Sequence, residues 1–165
     1  MAVVKVINGE YKNEDAIKNL VHYVLDKEKM PGQGFGATGV SLTTPVESFT
    51  LIQNAFGHNY GKRAEHIVLS FSEAEQSGMD RYDLMRAAYD ICNSFEGRQC
   101  LFAFHEKDKN NPKLHVHFVL GTTNMITGKK ENLDYQNQTI MKNNIAHILS
   151  SQGIAQKLIL SNGKR

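Results

Sequence analysis

Residues 99–120 have the sequence QCLFAFHEKDKNNPKLHVHFVL, and this stretch decides the predicted fold. Two runs rich in strand-forming residues flank a polar segment at 107–112, so we expect an antiparallel hairpin. Successive side chains of a strand point to opposite faces, and His115 and His117 therefore project from the same face. The hairpin brings His105 beside this pair.

Three imidazoles on one face can bind a single divalent metal ion and leave coordination positions open for a substrate oxygen, as a catalytic site requires. The alternative is that one or two of these histidines only end a strand or face solvent. The spacing of His115 and His117, with a third histidine on the neighbouring strand, favours the metal site.

Composition indicates one globular domain over residues 1–165, because 41% hydrophobic and 22% charged residues are ordinary values for such a domain. The apolar runs are too short for a transmembrane span, and residues 1–7 do not resemble a signal peptide, so we expect a cytoplasmic protein without a membrane segment. Cys92 and Cys100 lack C-x-x-C spacing and are expected to be reduced and buried. The net charge of +2 neither establishes nor excludes nucleic-acid binding.

Along the rest of the chain, segments with the hydrophobic spacing of a helix alternate with segments typical of a strand. The predicted helices run from residue 13 to residue 30 or somewhat earlier, over 45–56, from 80 to about 96 and from about 138 to 151. The predicted strands outside the hairpin cover residues 3–7, 63–72 and 155–160. Residues 32–39 are rich in glycine and indicate a flexible connection, while residues 39–42 are compatible with a strand or with extended chain. The predicted class is α+β: a central antiparallel or mixed sheet with helices packed mainly on one face and the histidines on a working face opposite.

This order of elements, together with the block from Phe104 to His117, resembles the relaxase (mobilisation nuclease) family of the HUH endonuclease superfamily. The resemblance covers residues 1 to about 135, and the histidine block is its most specific part. It implies that His105, His115 and His117 hold a divalent metal ion, Mn²⁺ or Mg²⁺, and that Tyr23 is the nucleophile.

The resemblance also implies nicking and rejoining of one DNA strand at the origin of transfer of a conjugative or mobilisable element, through a 5′-phosphotyrosine intermediate. The implied partners are single-stranded DNA, accessory DNA-binding proteins and a coupling or secretion apparatus. Relaxases often carry further C-terminal domains, so residues 1–165 are compatible either with a single nuclease domain or with the N-terminal part of a longer protein. This chain departs from the family pattern at Lys113, where many members have histidine, and at Gly121, where asparagine is frequent.

Tyr23 flanks the apolar stripe of the first predicted helix, a position that suits a side chain half supported by the fold and half offered to a ligand. The residues alone leave Tyr60 open as a second candidate nucleophile, and only the resemblance selects Tyr23. His66 has three interpretations: it faces the metal, it forms a hydrogen bond with the nucleophile, or it is a structural histidine of the sheet.

Basic residues around the hairpin are the candidate DNA contacts, and solubilising turn residues are the alternative for about half of them. The main candidates are Arg63, Lys113, Lys129 and Lys130, with Lys62, Lys107 and Lys109 beside them. Two functions compete with a relaxase: a metal-dependent hydrolase that activates water, and a nucleic-acid-binding module without catalysis.

Overall fold

The strands form where β-branched and aromatic residues concentrate. The computed structural model describes residues 1–7, 9, 11–30, 34–106, 113–155 and 157–163. In this part of the chain the strands are β1 (Ala2–Ile7), β2 (Phe35–Thr38), β3 (Ala64–Ser70), β4 (Arg98–His105), β5 (His115–Asn124) and β6 (Leu158–Gly163). All predicted strands are therefore confirmed, although β6 begins at Leu158 rather than at residue 155.

Most of the helices in the described part of the chain begin where a side chain caps the first turn. They are α1 (Glu14–Val24), α2 (Pro45–Ala55), α3 (Glu73–Ser77), α4 (Arg81–Ser94) and α5 (Tyr135–Ser151). The side chain of Asn13 accepts a hydrogen bond from the Ala16 amide at the start of α1, and Asp80 and Asp83 form a capping box at the start of α4. These caps satisfy amide groups that the helix itself leaves without acceptors.

One mixed sheet organises the described residues, with the strand order β2-β4-β5-β3-β1-β6. The β1–β6 pair is parallel, and the other neighbouring strands of this sheet pair antiparallel. The register of the central hairpin places His105 opposite His115. The predicted α+β class and the predicted hairpin are confirmed, whereas the turn at 107–112 lies outside the described residues.

The two faces of the sheet carry different side chains. Alternation along β4 and β5 directs Phe102, Phe104 and Phe118 into a large core with α4 and α5. The opposite face carries a smaller core with α1 and α2, which includes Leu101 and Val119. The histidines share this second face, so α1 and α2 partly cover it and the working face is less open than expected.

Two features of the first 40 residues differ from the prediction. α1 ends at Val24, which is earlier than the outer limit of residue 30 in the prediction, because the Asp26 side chain accepts a hydrogen bond from the Glu28 amide and turns the chain. The glycine-rich segment contains β2 rather than a flexible connection. Gly36 fits there because a Cβ atom at that position would lie 2.4 Å from the Tyr89 hydroxyl.

Two helices differ from the prediction as well. The short helix α3 was not predicted, although Ser72 and Glu75 form the capping box that marks its start. The last helix begins at Tyr135 rather than at residue 138, because the Asp134 side chain accepts a hydrogen bond from the Asn137 amide. In both cases the capping residues could have been recognised in the sequence.

Cys92 and Cys100 are buried free thiols, as predicted, and their sulfur atoms lie 3.1 Å apart. The hydrogen bond with Cys100 and burial raise the pKa of the Cys92 thiol, so this group stays protonated. None of the helices in the described part of the chain has the length and apolar character that a membrane span needs.

Candidate metal centre and its neighbouring tyrosines

Three histidines from the central hairpin meet on the face that α1 covers. His105 ends β4, and His115 and His117 begin β5 on the same side of the strand. One ring nitrogen of each lies within 4.8 Å of those of the other two, and all three side chains are buried. The spacing of two residues on one strand and the register with the next strand together produce this cluster.

Backbone carbonyls fix the orientation of two of these rings. His115 Nδ1 donates a hydrogen bond of 2.7 Å to the carbonyl of Lys113, which leaves Nε2 as the nitrogen that can bind a metal ion. His105 Nε2 donates a hydrogen bond of 2.7 Å to the carbonyl of Val24, so Nδ1 is the nitrogen that can bind a metal ion. Second-sphere hydrogen bonds of this kind are typical of histidines that bind metals.

The third ring is held by another histidine. His117 Nδ1 and His66 Nε2 share a hydrogen bond of 2.7 Å, and the two rings stack with centroids 5.0 Å apart. The hydroxyl of Tyr11 lies 3.2 Å from His66 Nδ1. If His117 Nε2 binds the ion, then Nδ1 donates to His66, and neutral His66 in turn donates to the Tyr11 oxygen. His66 therefore orients His117 through its Nδ1 atom and is not a member of the three-histidine cluster.

Tyr23 lies directly beside the cluster. Its ring centroid is 5.5 Å from that of His117, 5.9 Å from that of His105 and 6.3 Å from that of His66. The bond from His105 to the Val24 carbonyl attaches the end of α1 to β4 immediately after Tyr23. The end of α1 and the histidine-bearing face of the sheet are therefore fixed relative to each other beside Tyr23.

Tyr60 occupies a different environment. Its ring contacts His58 at a centroid distance of 6.2 Å, and the Lys130 ammonium lies 5.5 Å from its centroid. Among the described aromatic rings, none of the three clustered histidines is recorded in contact with Tyr60. The structure thus brings Tyr23, and not Tyr60, to the histidines.

The donor set fits a divalent ion. Metal–nitrogen bonds of roughly 2.1 Å place the ligand atoms of one ion roughly 3 to 3.5 Å apart. Separations within 4.8 Å need only small rotations of the rings to reach that spacing. Because all three donors are imidazoles, the site suits a transition-metal ion better than Mg²⁺, which prefers oxygen ligands.

The predicted DNA contacts fall into two groups. Lys113 and Lys129 are exposed, whereas the Arg63 side chain is buried and donates to the Asn59 carbonyl. The Lys130 ammonium donates to the carbonyl of Lys62 and to the hydroxyl of Thr122, and burial lowers the pKa of Lys130. Lys107 and Lys109 lie outside the described residues.

Two residues near the cluster had no signal in the sequence. Tyr11 lies in a segment predicted as a loop, and its contact with His66 joins positions 55 residues apart. The ammonium of Lys29 lies 4.0 Å from the centroid of the Tyr23 ring. Local periodicity cannot predict either contact, because both depend on how separate segments pack together.

Comparison with known proteins identifies the family to which the chain belongs. The family model described as "Relaxase: MobA/VirD2-like, nuclease domain" matches residues 23–154, which is more than half of the chain. The chain therefore belongs to this relaxase family, and the resemblance noted in the sequence is confirmed. Membership of this family implies DNA endonuclease activity in conjugative transfer, with single-stranded DNA at an origin of transfer as the substrate.

A similarity to one solved structure is weaker. That structure, described as "Molecular Basis of Vancomycin Resistance Transfer in Staphylococcus aureus", is 10% identical to this chain, with a TM-score of 0.48. The match covers 76% of this chain and 74% of that chain. None of the curated proteins matches the sequence.

Proposed function

We propose that residues 1–165 act as one nuclease domain that nicks and rejoins a single DNA strand at an origin of transfer, with Tyr23 as the nucleophile. The observation that carries this proposal is the position of Tyr23, whose ring lies 5.5 Å from that of His117 and 5.9 Å from that of His105. A tyrosine fixed beside a cluster of possible metal ligands is the arrangement that a phosphoryl transfer to the protein requires.

The chemical step is a transesterification. The phenolic oxygen of Tyr23 attacks the scissile phosphorus, the new O–P bond forms, and the bond to the 3′-oxygen breaks. The phenol loses its proton to solvent, and the departing 3′-oxygen takes one up. The product is a 5′-phosphotyrosine and a free 3′-hydroxyl, so the phosphoester bond is conserved and rejoining needs no nucleotide cofactor.

A divalent ion held by His105, His115 and His117 would stabilise the negative charge that develops on the phosphate oxygens. Of the two ions implied by the resemblance, Mn²⁺ suits an all-imidazole set better than Mg²⁺. His66 orients His117 through their shared hydrogen bond, and the Val24 and Lys113 carbonyls orient the other two ligands. The chain itself thus presents one nitrogen of each ring to the same point.

The surface lysines near the hairpin are proposed to bind the DNA backbone. Lys113 precedes β5 and Lys129 follows it, and both are exposed. The contributions of Arg63 and Lys130 to DNA binding stay predictions. Both side chains already donate hydrogen bonds to backbone carbonyls of the protein. Accessory DNA-binding proteins and a coupling or secretion apparatus are the further partners that the proposal includes.

The test is incubation of the protein with a supercoiled plasmid that carries the origin of transfer, in Mn²⁺, in Mg²⁺ and in chelator. We expect a nicked plasmid with covalently attached protein in the presence of metal and neither product in chelator. A nick without attached protein would favour the hydrolase, and a mobility shift without a nick would favour a binding module.

A further inference from the structure

A cation lies on the face of the Tyr23 ring. Lys29 is half-buried, and its ammonium nitrogen is 4.0 Å from the ring centroid. An ammonium group is attracted to the negative face of an aromatic ring, and the attraction increases when water is excluded. The side chain that we propose as the nucleophile therefore has a positive charge directly beside it.

The position of Lys29 is fixed by its backbone. Its amide donates a hydrogen bond of 3.0 Å to the Asp26 carbonyl, and its carbonyl accepts one of 3.1 Å from the Glu106 amide. Glu106 follows His105 directly, so this second bond attaches Lys29 to the strand that supplies a proposed metal ligand. The Lys29 backbone is consequently fixed both to the turn after α1 and to the residue that follows His105, and its ammonium lies on the ring of Tyr23.

Within the described part of the chain, no carboxylate forms an ion pair with Lys29. Among the described residues, no Asp or Glu oxygen lies within 4.0 Å of its ammonium nitrogen, whereas Lys62 pairs with Glu65 at 2.7 Å. A partly buried cation is stabilised by an anionic partner. The substrate of the proposed reaction brings such a partner to this place, because the scissile phosphate must reach the Tyr23 oxygen.

We propose that Lys29 binds a non-bridging oxygen of the scissile phosphate, in addition to any ion that the three histidines would hold, and so acts as a catalytic residue. This inference rests on the proposed function, since it takes Tyr23 as the nucleophile. A fixed ammonium at the developing negative charge would favour the transition state, while its contact with the ring would orient Tyr23 for attack.

The test compares Lys29→Met with Lys27→Met, because Lys27 lies in the same turn but is exposed. Methionine keeps much of the apolar stem and removes the charge. Single-turnover adduct formation is measured on a single-stranded oligonucleotide that spans the nick site mapped with the wild-type protein. We expect Lys29→Met to slow adduct formation by about 10²-fold. Lys27→Met should keep the wild-type rate, and Lys29→Arg should recover most of it.

Comparing two protein variants on two oligonucleotides separates phosphate binding by Lys29 from orientation of the Tyr23 ring. In the Tyr23→Phe background, anisotropy gives the affinity for two oligonucleotides, one with the native scissile phosphate and one with a neutral methylphosphonate there. We expect Lys29→Met to weaken binding of the native oligonucleotide by about 10- to 100-fold and to leave binding of the methylphosphonate unchanged. Unchanged Mn²⁺ affinity by calorimetry would show that the variant is folded.

Equal losses on both oligonucleotides, or a wild-type rate for Lys29→Met, would overturn the role of Lys29 and leave the proposed function standing. If the wild-type protein formed no adduct on origin DNA in Mn²⁺, the proposed function would fail and this inference with it.

Discussion

Replacing His66 by alanine should weaken metal binding although His66 is outside the three-histidine cluster. His66 shares a 2.7 Å hydrogen bond with His117 Nδ1, and its side chain is 1% exposed. Without this partner the ring of His117 can rotate, and its Nδ1 group remains buried without its acceptor. Losing a second-sphere partner of a metal ligand typically weakens metal affinity about 10- to 100-fold, which corresponds to about 1.4 to 2.8 kcal/mol.

Calorimetric titration with Mn²⁺ measures this change directly. His66→Gln is the informative companion variant, because its amide oxygen can accept the hydrogen bond from His117 and should restore part of the affinity. His22→Ala serves as the control, since His22 is exposed on α1 and is not part of the cluster. A His66→Ala protein that is folded by circular dichroism and binds Mn²⁺ with wild-type affinity would refute the argument that His66 positions His117.

Three further predictions test the remaining parts of the site. The double variant His115→Ala/His117→Ala should lose Mn²⁺ binding, because one remaining imidazole cannot hold an open site; full affinity in calorimetry would place the metal elsewhere. Tyr23→Phe should keep its melting temperature and single-stranded DNA binding but form no covalent adduct on a denaturing gel; an adduct that persisted would transfer the role to Tyr60 or Tyr11. Lys129→Ala should weaken binding about equally for different DNA sequences and reduce the slope of affinity against salt by about one; a sequence-dependent loss would argue against a phosphate contact.

The hairpin was predictable because its signals are local. Alternation along β5 places His115 and His117 on one face whatever the rest of the chain does, and the strand pattern before it brings His105 opposite them. The helix that carries Tyr23 was predictable from its apolar stripe and its Asn13 cap.

The parts that were missed depend on tertiary contacts. β2 is unusual for a strand because it contains Gly36, and it forms where the backbone must approach Tyr89 and Phe102 closely. The hydrogen bonds from Tyr11 to His66 and from His66 to His117 join three segments that are distant in the sequence. The position of Lys29 depends on where α1 ends. No periodicity in the sequence encodes these contacts, although they decide the surroundings of the proposed nucleophile.

Peptide mapping of the trapped protein–DNA adduct identifies the residue that attacks the DNA and so tests the assignment of Tyr23. The wild-type protein is incubated with origin DNA and Mn²⁺, digested with nuclease and trypsin, and analysed by mass spectrometry. We expect the nucleotide mass on the peptide of residues 19–27, at Tyr23. A modified tyrosine in any other peptide, or nicked DNA with no modified peptide, would contradict it.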